Sequence, residues 1–323
     1  MKKILAIHTG GTISMSASKE GVVRNRVNPI AHHHFTFNGR VHLVNRSACN
    51  LSSQSMTPEL MLKIQQMIMT ARSSGYSGAV VTHGTDTLEE TAYFLQLTVP
   101  HDFPVTITGA MRSSNEVGAD GLRNFKEAIA VASDDRAQRL GTLVVFNDEI
   151  NSARNVTKTN ATNVSTFKSP LTGPAGVISN HRIYFFTDSI PRHVIGQFEQ
   201  IEDRVYLLKA YAGMGPELLA AVSRLHPNGL VLEGVGAGNM PQVTVPQIKQ
   251  LIQRRVPVVM VSRCLNGFAE DLYNDPGGCY GLHKDGVMIC RGLNGPKARI
   301  KLIVGLSAHF NSHQLRNYMK DNR

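Results

Sequence analysis

The sequence predicts an α/β protein of two domains: a larger N-terminal one with a mostly parallel sheet flanked by helices, and a smaller α/β C-terminal one. Three observations predict it. The chain has 323 residues, which at roughly 150 residues per domain suggests about two domains. Short β-branched runs alternate with amphipathic helical stretches, the rhythm of parallel strands joined by helical crossovers. That rhythm breaks over residues 187–203, where Pro191, Gly196 and mixed charge read as a linker, and then resumes. The expected division is 1–190, a linker at 191–204, and 205–323.

Residues 4–7, Ile-Leu-Ala-Ile, read as a buried strand, and 41–44 as a second strand that ends in Asn45-Arg46. Residues 61–71 read as a helix: Thr57 caps it, Pro58 sits in its first turn and Gly75 follows its end. Strands are then expected at 79–82, 105–108 and 142–146, with helices at 88–97 and 122–132. Residues 151–170 are polar without sustained periodicity and read as a long loop, and 183–186 as a strand. In the second domain, 205–208, 230–232 and 258–261 are strand-like and 218–225 and 245–253 helix-like, with a last surface helix at 314–320. No short repeat or low-complexity tract interrupts the series.

Composition excludes several classes. Hydrophobic residues make up 42% and charged residues 18%, an ordinary globular balance. The formal net charge of +10 invites a nucleic-acid reading. The basic residues are dispersed without an Arg-rich stripe, aromatics are only 6% and Trp is absent, which argues against a stacking surface. Cys49, Cys264, Cys279 and Cys290 are scattered and form no CxxC, so neither a disulfide scaffold nor a zinc ribbon is expected, and free thiols in a reducing compartment are. The apolar run after Met1-Lys2-Lys3 is too short for a signal peptide, and no 18-residue apolar run exists. A cytoplasmic protein with no membrane segment is expected. Consecutive residues His32-His33-His34 point in different directions and lack a partner spacing such as HExxH, so no metal site is expected there. Met56, Met61, Met67 and Met69 read as core filling.

The chemistry-bearing residues fall at strand ends. The first strand runs into His8-Thr9-Gly10-Gly11-Thr12-Ile13-Ser14, where glycines let the backbone approach a ligand and Thr12 stands on a sharp turn. Neither GxGxxG with an acidic residue after the second strand nor GxxxxGK[ST] is present, so no dinucleotide or nucleotide cofactor is implied. The strand 79–82 ends in His83-Gly84-Thr85-Asp86-Thr87. After the strand 142–146 comes Arg154-Asn155-Val156-Thr157-Lys158-Thr159-Asn160. If the strand ends converge, they supply Thr12, Thr85, Asp86 and Lys158, a usable nucleophile system. A Thr hydroxyl needs its proton removed. Lys does that when its amine is kept neutral, whereas an adjacent carboxylate alone favours the charged form. Either a proton moves within the Thr–Lys–Asp group, or the network polarises a second hydroxyl or a water.

These residues resemble the bacterial-type L-asparaginases of the asparaginase/glutaminase family. Thr9-Gly10-Gly11-Thr12-Ile13 matches the first signature, and the run from Thr82 to Ala92 the second. Gly109-Ala110-Met111-Arg112, Ala119-Asp120-Gly121, Val156-Thr157-Lys158-Thr159 and the stretch from Asn294 to Arg299 also agree, so the resemblance runs from about residue 3 to 310. It implies a larger N-terminal and a smaller C-terminal α/β domain, and a homo-oligomer, dimer or tetramer, with sites near subunit boundaries. It also implies hydrolysis of L-asparagine to L-aspartate and ammonia, with minor activity on L-glutamine, and no cofactor or metal. Thr12 would be the nucleophile, and Thr85, Lys158 and Asp86 the second hydroxyl–amine–carboxylate group. Ser53 and Gln54 would grip the α-carboxylate and amine, Asp86 would face the α-ammonium, and the Ala110 carbonyl the amide. Asn239 would complete the site from the neighbouring subunit. The backbone N–H groups of Gly11 and Thr85 are candidates for holding the tetrahedral oxyanion.

Two departures stand out. Many relatives carry a Tyr on the loop after the first signature, whereas residues 15–40 here contain none and Val22-Val23 lie near that place. Secreted relatives donate a Glu from the C-terminal domain, whereas around 275–283 Cys279 or Tyr280 falls nearest. Alternative readings are the amidase component of a tRNA-dependent amidotransferase, which would need an extra domain before the first strand, and a protein that binds Asn or Asp without turnover.

Overall fold

The computed structural model describes residues 1–19, 21–24, 28–30, 35, 37, 39–188, 194–195 and 198–320. The chain divides into two compact units, Met1–Val194 and Ile195–Arg323.

The first unit is built on β1 (Lys2–Gly10), β2 (Met15–Ser18), β3 (Gly21–Arg24), β4 (Val41–Leu51), α1 (Pro58–Ser73), β5 (Gly78–Thr82), α2 (Leu88–Thr98), β6 (Val105–Thr108), α3 (Gly121–Ala132) and β7 (Thr142–Phe146). It continues through β8 (Glu149–Ser152), β9 (Thr157–Lys158), β10 (Phe167–Lys168), β11 (Gly176–Ser179) and β12 (Arg182–Phe185). One sheet runs in the order β12-β11-β8-β7-β6-β5-β1-β4. Its members β4, β1, β5, β6 and β7 are parallel, and the successive pairs β7–β8, β8–β11 and β11–β12 are antiparallel. The parallel part therefore switches direction at β1, with one successor on each side. In open α/β sheets, ligands bind outside the carboxyl ends of the strands at such a switch.

Alternation across the strands divides the core. Ile4, Ala6, Val80, Leu143 and Val145 pack with Phe125, Ala128 and Ile129 of α3. Leu5, Ile7 and Val81 are buried too and point to the opposite side. The helices α1 and α2 pack against each other and against the sheet. The helix α1 starts where its cap requires: Thr57 accepts from the Leu60 amide at 3.4 Å, and Pro58 occupies the first turn.

The second unit holds β13 (Val205–Lys209), α4 (Glu217–Arg224), β14 (Gly229–Gly234), α5 (Val245–Gln253), β15 (Val258–Ser262), α6 (Cys279–Lys284), β16 (Met288–Ile289), α7 (Gly295–Ser307) and α8 (Ser312–Lys320). Its four strands are parallel in the order β13-β14-β15-β16. Leu230, Leu232, Val258 and Met260 form its core with Leu219, Ile248, Leu251 and Leu282 from the helices. Among the described residues, no helix is long and apolar enough to cross a membrane.

One sequence expectation changes, and some elements come unannounced. The stretch 151–170 is not one long loop: β8 supplies its start and β9 pairs with β10 inside it. Two-residue strands are too short to show a period. The strand β11 and the helix α6 add elements that the hydrophobic pattern does not announce. The helix α7 is buried on nearly every side, including Lys297 and Lys301, so it shows no apolar stripe. Its end signals are nonetheless present, with Asn294 accepting from the Lys297 amide at 3.1 Å and a proline in the first turn.

Candidate active site

Close backbone contact builds the site. Gly10 and Gly11, at the end of β1, have φ of +100° and +82°, which side-chain-bearing residues rarely adopt. A Cβ on Gly10 would lie 2.4 Å from the Leu51 carbonyl oxygen, and one on Gly11 would lie 2.3 Å from the Gly84 Cα. A Cβ on Gly84 would lie 2.8 Å from the Ser53 Cβ. Only glycine permits these approaches. The ends of β1, β4 and β5 thus meet at the switch point, and Thr12, Ser53 and Thr85 each stand beside the contact. Thr12 is half-buried and opens a short 3-10 turn, Thr12–Ser14.

A charged group joins this cluster. The Lys158 amine donates to Thr85 Oγ1 at 3.0 Å and to Asp86 Oδ1 at 2.7 Å. Thr85 is buried, the Lys158 side chain is 15% exposed and that of Asp86 59%. Asp86 therefore keeps acceptor capacity towards solvent, where a cationic ligand group could be met. Ser53 is tied to the same turn, because its hydroxyl accepts from the Asp86 amide at 3.1 Å and its carbonyl from Thr87 Oγ1 at 2.7 Å. The Ser53 hydroxyl hydrogen remains available for donation. Gln54 follows in the 3-10 turn Ser53–Ser55 and is exposed.

The neighbouring turns are fixed by polar bonds. Ala110 is buried after β6, and a Cβ on the preceding Gly109 would lie 2.5 Å from the His83 carbonyl oxygen and 3.3 Å from Thr85 Cγ2. Asp120 accepts from the amides of Met111 at 3.1 Å and Arg112 at 3.0 Å, which sets the turn after Ala110. His83 is fully buried, with Nδ1 at 2.7 Å from the Gly84 carbonyl oxygen and Nε2 at 2.9 Å from Thr91 Oγ1. A carbonyl only accepts, so Nδ1 carries the hydrogen and Thr91 donates to Nε2. Burial pushes the imidazole down to about 4 despite the Gly84 bond, so it is neutral at neutral pH.

Lys158 sits on the β9–β10 hairpin, where Lys158 faces Phe167 and Thr157 faces Lys168. The hairpin is anchored to the sheet by Phe167, which packs on Phe146 with ring centroids 5.0 Å apart, and by Ser169 Oγ donating to Asn151 Oδ1 at 2.7 Å. Glu89 of α2 supplies another anchor: its carboxylate accepts from Thr157 Oγ1 at 3.0 Å, with the Lys158 amide at 3.5 Å.

One expected donor is committed elsewhere. The Gly11 amide donates to the Leu51 carbonyl at 2.9 Å, because the close approach of β4 that requires glycine there also supplies an acceptor. Close packing and this bond both fall on Gly11, the expected oxyanion donor. The N-terminal unit contains Thr12, Ser53, Gln54, Thr85, Asp86, Ala110 and Lys158, whereas Asn239 belongs to the C-terminal unit. Asn239 Oδ1 accepts from the Cys279 amide at 3.1 Å, leaving its NH2 group to donate. Cys279 is buried at the start of α6, and burial, with Asp271 adding to it, pushes its thiol up to about 11. It is no substitute for an acidic side chain. His32-His33-His34 lies outside the described residues, as do the side chains of Val22 and Val23, whose backbone pairs in β3. Sequence reasoning places His83, Glu89 and Asp120 inside motifs without giving any of them a role. Their partners are backbone atoms or side chains that no sequence motif pairs with them, so only position next to the reactive group could have pointed to them.

A hydroxyl–amine–carboxylate group at the switch point of a parallel sheet, in a chain of two α/β units, defines a class of protein with a polar small-molecule site. Comparison with known proteins narrows it. Residues 3–191 match the model described as "Asparaginase, N-terminal", and 204–319 match "Glutaminase/Asparaginase C-terminal domain". L-asparaginase of Bacillus licheniformis is 34% identical over 311 residues, 95% of this chain and 96% of that protein. A Haemophilus influenzae protein named "Probable L-asparaginase periplasmic" is 35% identical over 276 residues, 84% of this chain and 77% of that one. Among solved structures, "Probable Cytoplasmic L-asparaginase from Campylobacter jejuni" superposes with a TM-score of 0.87 at 30% identity, covering 99% of both chains. The chain belongs to the asparaginase/glutaminase family.

Proposed function

We propose that this protein hydrolyses the side-chain amide of L-asparagine to L-aspartate and ammonia, in a catabolic role. The observation that carries this reading is the Lys158 amine shared between Thr85 Oγ1 and Asp86 Oδ1, beside the glycine contact that sets Thr12. Thr12 is the nucleophile. Its oxygen bonds to the amide carbon, and the carbonyl becomes an oxyanion held by the Thr85 amide. The Thr12 proton passes through the Thr85–Lys158–Asp86 group, by way of a water if needed, to the amide nitrogen, which leaves as ammonia. Water then attacks the Thr12 ester, gives its proton back through the same group, and L-aspartate is released.

Ser53 and Gln54 hold the α-carboxylate and amine, Asp86 takes the α-ammonium and the Ala110 carbonyl the amide N–H. A zwitterion needs partners of both signs, and a site so built rejects analogues that leave one unpaired. L-glutamine is a slower substrate in this reading. The reading extends to a cytoplasmic homo-oligomer, dimer or tetramer, in which Asn239 completes a neighbour's site. It also keeps the division 1–190, 191–204 and 205–323. The name of the Campylobacter jejuni neighbour supports the compartment and that of the Haemophilus influenzae relative opposes it, so fractionation of the native cell decides it.

The test is ammonia release from L-Asn, L-Gln, D-Asn and Asn-bearing peptides at neutral to alkaline pH. L-Asn is expected to be the best substrate. Folded protein that releases ammonia from none of them contradicts the proposal.

A further inference from the structure

We propose that Glu89 is a positioning residue for Lys158, setting the reach of its amine to Thr85 and Asp86; this rests on the hydrolysis proposed above. Lys158 lies on a hairpin whose strands are two residues each, too short to hold a side chain in place by pairing alone. The Phe167–Phe146 packing and the Ser169–Asn151 bond attach that hairpin to the sheet. Neither touches the segment that carries Thr85 and Asp86.

Glu89 does. It stands in the first turn of α2, three residues after Asp86 and four after Thr85, so all three ride on one loop-to-helix segment. Its carboxylate accepts from Thr157 Oγ1 at 3.0 Å, with the Lys158 amide at 3.5 Å. It therefore grips the backbone from which the Lys158 side chain departs. The distance between the amine and its two partners is set over a short path: Glu89 to Thr157, one residue along β9, and out along Lys158. Glu89 as a residue is only 9% exposed, which restricts its side chain, and a negative charge in the first turn of a helix is favoured by the helix dipole. A misplacement of about 1 Å in such a group can cost on the order of 100-fold in rate.

The experiment compares wild type with Glu89→Ala, Glu89→Gln and Thr157→Val, measuring kcat and KM for L-Asn and the Tm of each. Glutamine keeps an acceptor oxygen for Thr157, whereas alanine and valine each remove one side of the bond. A positioning role predicts that Glu89→Ala lowers kcat by about 10- to 100-fold with KM within about threefold, and that Glu89→Gln recovers most of the loss. A purely structural role moves the Tm and leaves kcat per folded molecule unchanged. If Glu89→Ala does not fold, Thr157→Val carries the test, with a fall of about fivefold or more expected. Unchanged kcat in whichever of these folds, or Glu89→Gln as impaired as Glu89→Ala, overturns the inference while wild-type turnover stands. Wild type without turnover overturns the hydrolysis reading and this role with it.

Discussion

Lys158 makes its two contacts with one amine, and that economy makes the site sensitive to single substitutions. Lys158→Ala leaves Thr85 and Asp86 without their shared partner. Because Asp86 faces solvent, the fold tolerates the loss while the proton transfer does not. We expect kcat for L-Asn to fall by about 10²- to 10⁴-fold with Tm little changed; near-normal turnover would remove Lys158 from the mechanism. His83 gives a pH signature at the same scale. Its imidazole titrates at about 4 in the folded chain against 6.5 for an unperturbed group. The unfolded state therefore binds more protons between those values, and stability rises with pH across that window. Seen from the other side, stability present above about 6.5 is lost as pH falls toward 4, by an amount on the order of 3 kcal/mol. Tm measured from pH 7 to 4 should fall steeply in the wild type and less steeply in His83→Gln. Parallel slopes would show that His83 is not the group responsible.

At the level of elements, the β2–β3 hairpin after Thr12 is clasped from outside. Asn115 Oδ1 accepts from the Ala17 amide at 2.7 Å and its Nδ2 donates to the Ala17 carbonyl at 2.9 Å. The Ser114 amide adds a bond to the Met15 carbonyl at 3.1 Å. One side chain thus imitates a strand neighbour. Asn115→Ala should speed hydrogen exchange of the Ala17 amide and hasten proteolytic nicking of the hairpin, with the global Tm nearly unchanged, since each bond is worth about 1 kcal/mol. Unchanged exchange would mean the clasp is not what orders the hairpin. This clasp was not legible in the sequence, because it joins segments 98 residues apart through a side chain. Elements with a clear apolar run or period were legible: β6, β7 and α5 span 105–108, 142–146 and 245–253, as their patterns indicate. What escaped lacks a period for physical reasons. The helix α7 buries Lys297 and Lys301 among its apolar residues, and β9 and β10 are too short to alternate.

For the whole molecule, legibility follows the same logic. Thr12, Thr85 and Asp86 follow the ends of β1 and β5, where parallel sheets gather polar groups, a rule that sequence order alone can apply; Lys158 sits instead on the β9–β10 hairpin and meets Thr85 and Asp86 from there. Glu89 could not be found by that rule, since its bond to Thr157 spans 68 residues. The bond of the Gly11 amide escaped for a related reason: the sequence shows the glycine but not the Leu51 carbonyl pressed against it. Each unit has its own sheet, mixed in the first and parallel in the second, and its own apolar core. The formal charge of +10, which first invites a nucleic-acid partner, has no part in the geometry that holds Lys158. The central claim concerns the hydroxyl beside the Gly11–Gly84 contact, and one measurement addresses it most directly: steady-state ammonia release from L-asparagine by wild type and by Thr12→Ala, each shown to be folded by circular dichroism. The account requires turnover by the wild type and a loss of about 10³-fold or more in Thr12→Ala. A folded wild type that releases no ammonia, or a Thr12→Ala variant of near-normal rate, would contradict it.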